Sequence, residues 1–257
     1  MLDKNKIKFI NSLKKKKFRE ESGYFIVEGD KLVNELLSSS LEIESVLGLS
    51  PWLNRVMPAS ANVKEIIAIS EAELNRISSL TTPNQVLAVA KIPQYSYQME
   101  EISSRLSLVL DNLQDPGNLG TIMRLADWFG IEHIFCSPNS VDVYNPKVVQ
   151  ATMGAIFRIQ VHYTPLIELM NYFTRIPGFK IYGTFLEGNN IYEKDLEQKG
   201  LIVMGNESQG ISAEIGTFIN EKLFIPSFTG GRKTSESLNV SVATAIVCSE
   251  FRRRSLL

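Results

Sequence analysis

Cysteine and histidine are nearly missing from this chain, with two of each in 257 residues. Cys136 and Cys248 stand apart among apolar neighbours, with no CxxC pair and no Cys/His spacing for zinc. That excludes a disulfide framework and a zinc-ribbon module, and no metal is expected. Both cysteines read as buried free thiols. His133 and His162 lie in apolar or strand-like contexts and read as structural. No apolar run approaches the roughly 18 residues that a membrane span needs. The start, Met1-Leu2-Asp3-Lys4-Asn5-Lys6, lacks the apolar core of a signal peptide, so a cytoplasmic location is expected. With 44% hydrophobic and 21% charged residues, the composition is that of a soluble globular chain with a real core. Its length suits one large or two medium domains.

A surplus of either charge sign is also missing, for the formal net charge is -1. Such a balance ordinarily argues against a nucleic-acid binder, but the distribution is uneven. Within residues 1–19, Lys4, Lys6, Lys14, Lys15, Lys16, Lys17 and Arg19 face a single acid, Asp3. The run fits a solvated helix face. It also fits a phosphate-contacting arm, since each neutralised phosphate releases counterions.

What the chain does have is alternation. Helical spacing over 6–13, 31–37 and 71–77 alternates with strand-like runs at 24–27, 43–49 and 86–90, which predicts a small α/β domain over 1–92. Residues 93–104 are polar and break the pattern, so they read as a linker. From 105 to 257 the alternation lengthens, with strands expected near 106–111, 131–136, 179–185, 201–205 and 222–226. Several are near-continuous apolar runs, the mark of parallel strands covered on both faces. Helices expected over 119–129, 146–155, 165–174 and 238–251 supply the cover. No internal repeat is evident.

Three polar, glycine-containing loops follow apolar runs. Asp115-Pro116-Gly117-Asn118-Leu119-Gly120 comes after 106–110, and Gly205-Asn206-Glu207-Ser208-Gln209-Gly210 after 201–204. The third joins Phe228-Thr229-Gly230-Gly231 to Ser237-Leu238-Asn239-Val240-Ser241. In an open parallel sheet such loops gather beyond the carboxyl ends of the strands, where ligands bind. A Rossmann enzyme needs G-x-G-x-x-G, which Gly117-Asn118-Leu119-Gly120 does not provide. A P-loop needs glycine before its lysine, whereas Arg232 precedes Lys233. A serine hydrolase would need G-x-S-x-G.

Together the loops resemble the SpoU-type RNA ribose 2′-O-methyltransferases of the SPOUT superfamily. The first motif is matched within 112–130 by Pro116, Asn118, Gly120, Arg124, Ala126 and Gly130. The second lies within 201–212, at Gly205, Glu207 and Gly210, and the third within 223–250, at Ile225-Pro226 and Ser237 to Ser241. The first part, with Phe25-Ile26-Val27-Glu28-Gly29 and Thr81-Thr82-Pro83, is similar to the ribosomal-protein-like RNA-binding domain often fused before such enzymes. Pro83-Asn84-Gln85 departs from the glutamine-glycine pair usual there.

The resemblance implies an α/β protein whose C-terminal, mostly parallel sheet carries a deep trefoil knot. It implies S-adenosylmethionine as cofactor, RNA as substrate, and a homodimer with the active site near the interface; the appended RNA-binding-like domain favours ribosomal RNA, with transfer RNA as the alternative. Candidate catalytic residues are Arg124, Asn118, Glu207, Ser237 and Asn239. Thr184, Gly205, Gly210, Ile225 and Leu238 are candidates for holding the cofactor, and Lys14, Lys15, Lys16, Lys17 and Arg19 for holding RNA. An arginine offers donors only, so Arg124 is expected to clamp phosphate and orient the hydroxyl, from its own subunit or across to the partner. Glu207 either holds that arginine or accepts hydrogen bonds at the cofactor site. The loop over 228–234 is either a lid over RNA phosphates or an exposed turn. The rival from another class is a non-catalytic RNA-binding or ribosome-assembly protein that keeps the fold; a nucleotide-dependent oxidoreductase is a weaker one.

Overall fold

A computed structural model describes residues 2–56, 63–229, 232 and 236–254. In chain order its elements are α1 (Lys4–Ser12), α2 (Lys16–Ser22), β1 (Tyr24–Glu28), α3 (Asp30–Leu37), β2 (Ile43–Gly48), α4 (Ser50–Val56), β3 (Val63–Ala68), α5 (Glu71–Ile77) and β4 (Val86–Lys91). There follow α6 (Met99–Ser103), β5 (Leu106–Leu110), α7 (Pro116–Trp128), β6 (His133–Cys136), α8 (Pro146–Thr152), β7 (Gln160–Tyr163) and α9 (Leu166–Phe173). The chain closes with β8 (Ile181–Asn190), β9 (Gly200–Met204), α10 (Ala213–Gly216), β10 (Glu221–Phe224) and α11 (Val240–Arg254). Two compact units result: Met1–Gln94 with Asp142–Phe157, and Tyr95–Val141 with Arg158–Leu257.

The first unit is built on a sheet of order β1-β4-β2-β3. β4 runs antiparallel to both β1 and β2, while β2 and β3 are parallel. Helices α1 and α5, with Leu13 just past the end of α1, bury Ile10, Leu13, Leu74 and Ile77 against Ile26, Leu47, Leu87 and Val89 of the sheet. Ser70 caps α5 in a reciprocal box with Glu73, satisfying two N–H groups that the first turn would otherwise leave open.

One expected helix lies elsewhere than anticipated. The segment over 146–155 forms α8 but belongs to the first unit instead of covering the larger sheet. Gln150 Nε2 donates to the Glu28 carbonyl at 2.8 Å, and Tyr144 packs its ring on Phe25 with centroids 4.8 Å apart. The guanidinium of Arg19 pairs with Asp142 and donates to the Leu13 carbonyl at 2.8 Å. Arg19 is only 2% exposed, so it cannot serve as the RNA contact expected of it. Its charge is already answered inside the unit. Lys14 is also committed, donating from Nζ to the Ser78 carbonyl at 2.8 Å. Burial holds its ammonium below the usual lysine range, against the opposing pull of Glu28. Lys15, Lys16 and Lys17 remain exposed, the last two in loose pairs with Glu20 and Glu21 at 3.7 and 3.8 Å.

The second unit carries a six-stranded sheet of order β10-β8-β9-β5-β6-β7, parallel at every pairing. β5 and β9 are buried at every residue, as their apolar runs require of central strands. β7 was absent from the strands expected. The linker region also holds more order than expected, since it contains α6, whose Ile102 is fully buried against Phe135, Leu169 and Phe173. α7 turns Leu119, Ile122, Met123 and Ala126 inward at helical spacing. Phe251 of α11 is fully buried and meets Tyr182 edge-on at 4.8 Å, a contact that removes a large apolar ring from water, worth about 1.5–3 kcal/mol. Cys136 and Cys248 are buried free thiols, and burial pushes both up to about 12. Among the described residues no helix is long and apolar enough to cross a membrane.

Candidate active site

The three polar loops meet at the carboxyl ends of β5 and β9 and the start of α11, and side-chain amides join them. Each backbone is prepared by its sequence. Asp115 accepts from the Asn118 N–H at 2.8 Å and caps α7, where Pro116 fills a first-turn position that needs no donor. Asn239 caps α11, its Oδ1 accepting from the Ser241 N–H at 2.9 Å and the Ser241 hydroxyl at 2.7 Å.

The loop after β9 folds back on itself. Asn206 and Gly210 exchange backbone hydrogen bonds of 2.9 and 3.0 Å. A Cβ at Gly205 would lie 2.1 Å from the Gly210 carbonyl carbon and 2.2 Å from the Ile211 nitrogen, so only glycine fits. Gly210 adopts φ +70, a left-handed backbone that glycine takes without strain. The position of this loop is fixed by Asp111, which is buried and accepts from the Ser212 N–H at 2.8 Å. It is fixed again by Asn206, whose Nδ2 donates to the Asn112 carbonyl at 2.8 Å.

Across the loops runs a relay. Glu207 Oε1 accepts from the Asp115 N–H at 2.9 Å and from Asn118 Nδ2 at 3.2 Å. Asn118 Oδ1 accepts in turn from Asn239 Nδ2 at 3.0 Å. With its nitrogen turned to the carboxylate, Asn118 must present its oxygen to Asn239, and Asn239 must present its own oxygen to the α11 N-terminus. The relay therefore fixes both amide orientations as well as the loop positions. Asn239→Ala removes a helix cap and one link together. It is expected to cost about 1 kcal/mol in thermal unfolding, and Asn239→Ser, which keeps a capping oxygen, to recover most of that.

Glu207 is half-buried, and burial alone would raise its carboxyl. The N–H groups of Asp115 and Glu207 itself, the Asn118 amide and the Gln114 N–H outweigh that effect and hold it below the usual carboxylate range. A carboxyl depressed in the folded state adds stability that is complete above its unfolded value of about 4.3 and is lost as pH falls through the folded value. Glu207→Gln is thus expected to lower the unfolding midpoint at neutral pH. The gap to wild type should close as the medium is acidified below about pH 4. A gap independent of pH would contradict this origin.

The structure brings Asn118, Glu207 and Asn239 together, and does not place Glu207 against Arg124. Arg124 projects from α7 into solvent, with no hydrogen-bond or ion-pair partner among the described residues. Ser237 is exposed and outside the relay, next to Leu238, which is 50% exposed. Thr184 on β8 sits against Met204, its Oγ1 3.7 Å from the sulfur, and Ile225 is half-buried just past β10. Of the loop over 228–234, Phe228 is exposed, and Arg232 Nε donates to the Thr229 carbonyl at 3.2 Å. Gly230, Gly231, Lys233 and Thr234 lie outside the described residues. Asp111 and Asn206 were not singled out from the sequence. Both belong to polar runs that directly follow buried strands, a signal that would have found them.

The model of the SpoU rRNA Methylase family matches residues 105–249, and that of the MRM3-like substrate binding domain matches residues 4–88. The structure of a TrmH-family protein from Porphyromonas gingivalis is 41% identical and superposes with a TM-score of 0.87, each chain covered to 99%. An AdoMet-bound rRNA methyltransferase from Sinorhizobium meliloti is 27% identical, with a TM-score of 0.84 over 99% of this chain and 96% of that one. The 23S rRNA (guanosine(2553)-2'-O)-methyltransferase RlmP of Bacillus subtilis is 29% identical over 96% of both chains. With more than half of its length matched by one family model and its three loops interlocked, the chain belongs to the SpoU rRNA methylase family.

Proposed function

We propose that this chain transfers a methyl group from S-adenosylmethionine to a ribose 2′-hydroxyl of ribosomal RNA. The main support is the relay from Glu207 through Asn118 to Asn239, which holds three strand-end loops at one place, with Asn118 on the same helix α7 as an arginine with no partner among the described residues. A full-length relative that methylates a 2′-oxygen of 23S rRNA favours ribosomal over transfer RNA as substrate, and favours the cytoplasm as the place of action.

The residues fit the cofactor. At Gly205 the loop backbone closes on Gly210 and Ile211 with no room for a side chain, so main-chain groups line this bend at the carboxyl end of β9, the kind of group that recognises an adenosyl ring at close range. Thr184, Gly205, Gly210, Ile225 and Leu238 would hold it. When bound, it supplies a methyl group already activated on sulfonium. The rate then depends on orienting the ribose and removing its proton. Arg124 clamps an RNA phosphate and orients the hydroxyl with its fork of donors. Asn118 and Asn239 hold the loops in register, Glu207 anchors them, and Ser237 reaches a substrate oxygen.

The first unit docks RNA, with Lys15, Lys16 and Lys17 as its phosphate contacts. The active form is a homodimer. Between α7, α11 and Tyr192 just after β8, a mainly apolar groove is lined by Leu125, Trp128, Phe129, Ala245 and Ile246 with Ser249 and Glu250 at its polar side, and Trp128 is 83% exposed. An exposed tryptophan in such a patch favours a second copy as cover. Arg124 stands one helical turn before Trp128, on the rim of that face. The return of α11 from β10 to α7 and the loop after the central strand β5 supports a threaded, trefoil-knotted chain. The test is incubation of the purified chain with ribosomal RNA and methyl-labelled S-adenosylmethionine. Label is expected in alkali-resistant dinucleotides, which only 2′-O-methylation produces, and label confined to bases would overturn the proposal.

A further inference from the structure

His133 opens β6 at the amino end of the strand, the end of the sheet away from the three loops. It is 2% exposed, and its Nε2 is buried without a hydrogen-bond partner. Nε2 faces Glu101 Oε1 of α6 at 3.8 Å, beyond hydrogen-bond reach. Glu132 is the residue just before β6. One ligand atom from each of Glu101, Glu132 and His133 lies within 4.8 Å of the other two.

The other ring nitrogen of His133, Nδ1, lies 3.1 Å from Nε2 of His162 on β7. That contact uses one proton. With the proton on His133 Nδ1, Nε2 is a lone pair aimed at carboxylates, which is repulsive unless a cation stands between them. With the opposite tautomer, the Nε2–H has no acceptor in reach. Neither arrangement satisfies the nitrogen with protein groups alone. Tyr97 closes the far side, its ring 4.7 Å from that of His162 and 5.0 Å from that of Phe135.

We propose that Glu101, Glu132 and His133 bind a divalent first-row transition-metal ion of the zinc type, with solvent completing its shell. One imidazole nitrogen and two carboxylates suit such an ion in ligand type, and their two negative charges match its two positive ones. His162 holds the His133 ring in the tautomer that leaves Nε2 free to ligate, the usual office of a group behind a metal-bound histidine. Arg105 is the competitor. Its Nη1 lies 2.5 Å from Glu132 Oε2 and 3.5 Å from Glu101 Oε1. Its side chain is 48% exposed, so it turns to solvent as the doubly charged ion takes its place. The ion ties α6, where the chain enters the second unit, to β6. Sequence spacing gives no zinc signature here because the ligands come from separate elements that meet only on folding.

The test uses the full chain, stripped with a chelator and titrated with zinc by calorimetry and with cobalt(II) by visible absorption. One equivalent should bind saturably, and the cobalt form should show ligand-field bands. Zinc should raise the unfolding midpoint. Glu101→Gln with Glu132→Gln alters partly exposed side chains without opening a cavity, and should weaken binding at least about tenfold. Arg105→Ala removes the competing charge and should strengthen binding by roughly tenfold. Absence of saturable binding in both wild type and Arg105→Ala would overturn the proposal, as would affinity unchanged in the double glutamine variant.

Discussion

Arg124→Ala is expected to abolish ribose methylation, lowering the single-turnover rate by at least about 10³-fold, while affinity for S-adenosylmethionine stays within a few-fold of wild type. The separation follows from where the side chain stands. It leaves α7 on the solvent side and has no partner among the described residues, so its loss disturbs neither the relay nor the core. Stability should change by no more than about 0.5 kcal/mol, as for other exposed positions. In the proposed role, what disappears is a planar fork of donors, which a lysine does not reproduce, so Arg124→Lys should recover only a small part of the rate. Single-turnover kinetics with calorimetric cofactor binding on the same preparations decides the matter. Undiminished turnover in Arg124→Ala contradicts the assigned role.

Gly205→Ala has the opposite signature. The added methyl would fall 2.1 Å from the carbonyl carbon of Gly210, a backbone atom that cannot rotate away. The loop has to open, breaking the paired bonds between Asn206 and Gly210 and pulling on Asn112 through Asn206. Overpacking of this kind costs about 1–3 kcal/mol in stability. Cofactor affinity should fall by at least about 10²-fold, since a loop displaced by even an ångström no longer presents its main-chain groups. Gly216→Ala is the control: no atom lies within 4 Å of a Cβ there, and alanine suits helix α10 at least as well. Cofactor binding that survives Gly205→Ala intact would remove this loop from the cofactor site.

How far the fold could be read from the sequence differs from element to element, for physical reasons. β5 and β9 announce themselves because a strand buried on both faces must be apolar throughout. β3 and β7 do not: β3 is an edge strand whose residues are mostly exposed, and β7 has only four residues at the far edge of its sheet. Helical spacing gave α8 an apolar face but carries no record of which sheet that face meets, and it meets β1 of the first unit.

The same limit applies to the site. Asn118 and Asn239 were singled out one by one from their motifs, yet the bond between them joins residues 121 positions apart. Glu207 anchors that bond rather than holding Arg124, a distinction that depends on which donors reach its oxygens. Arg19, in a run of lysines, reads as solvated because the acid that neutralises it, Asp142, is 123 residues away. Charge runs report composition, whereas burial reports where the partner stands.

Ribose methylation of ribosomal RNA by the second unit is open to a direct check, the mapping of 2′-O-methyl groups. Ribosomal RNA would be compared from cells carrying the gene, cells lacking it, and lacking cells supplied with wild-type or Arg124→Ala protein. One ribose methyl group should vanish on deletion, return with the wild-type chain and not return with Arg124→Ala. A methylation map identical in all four would contradict it.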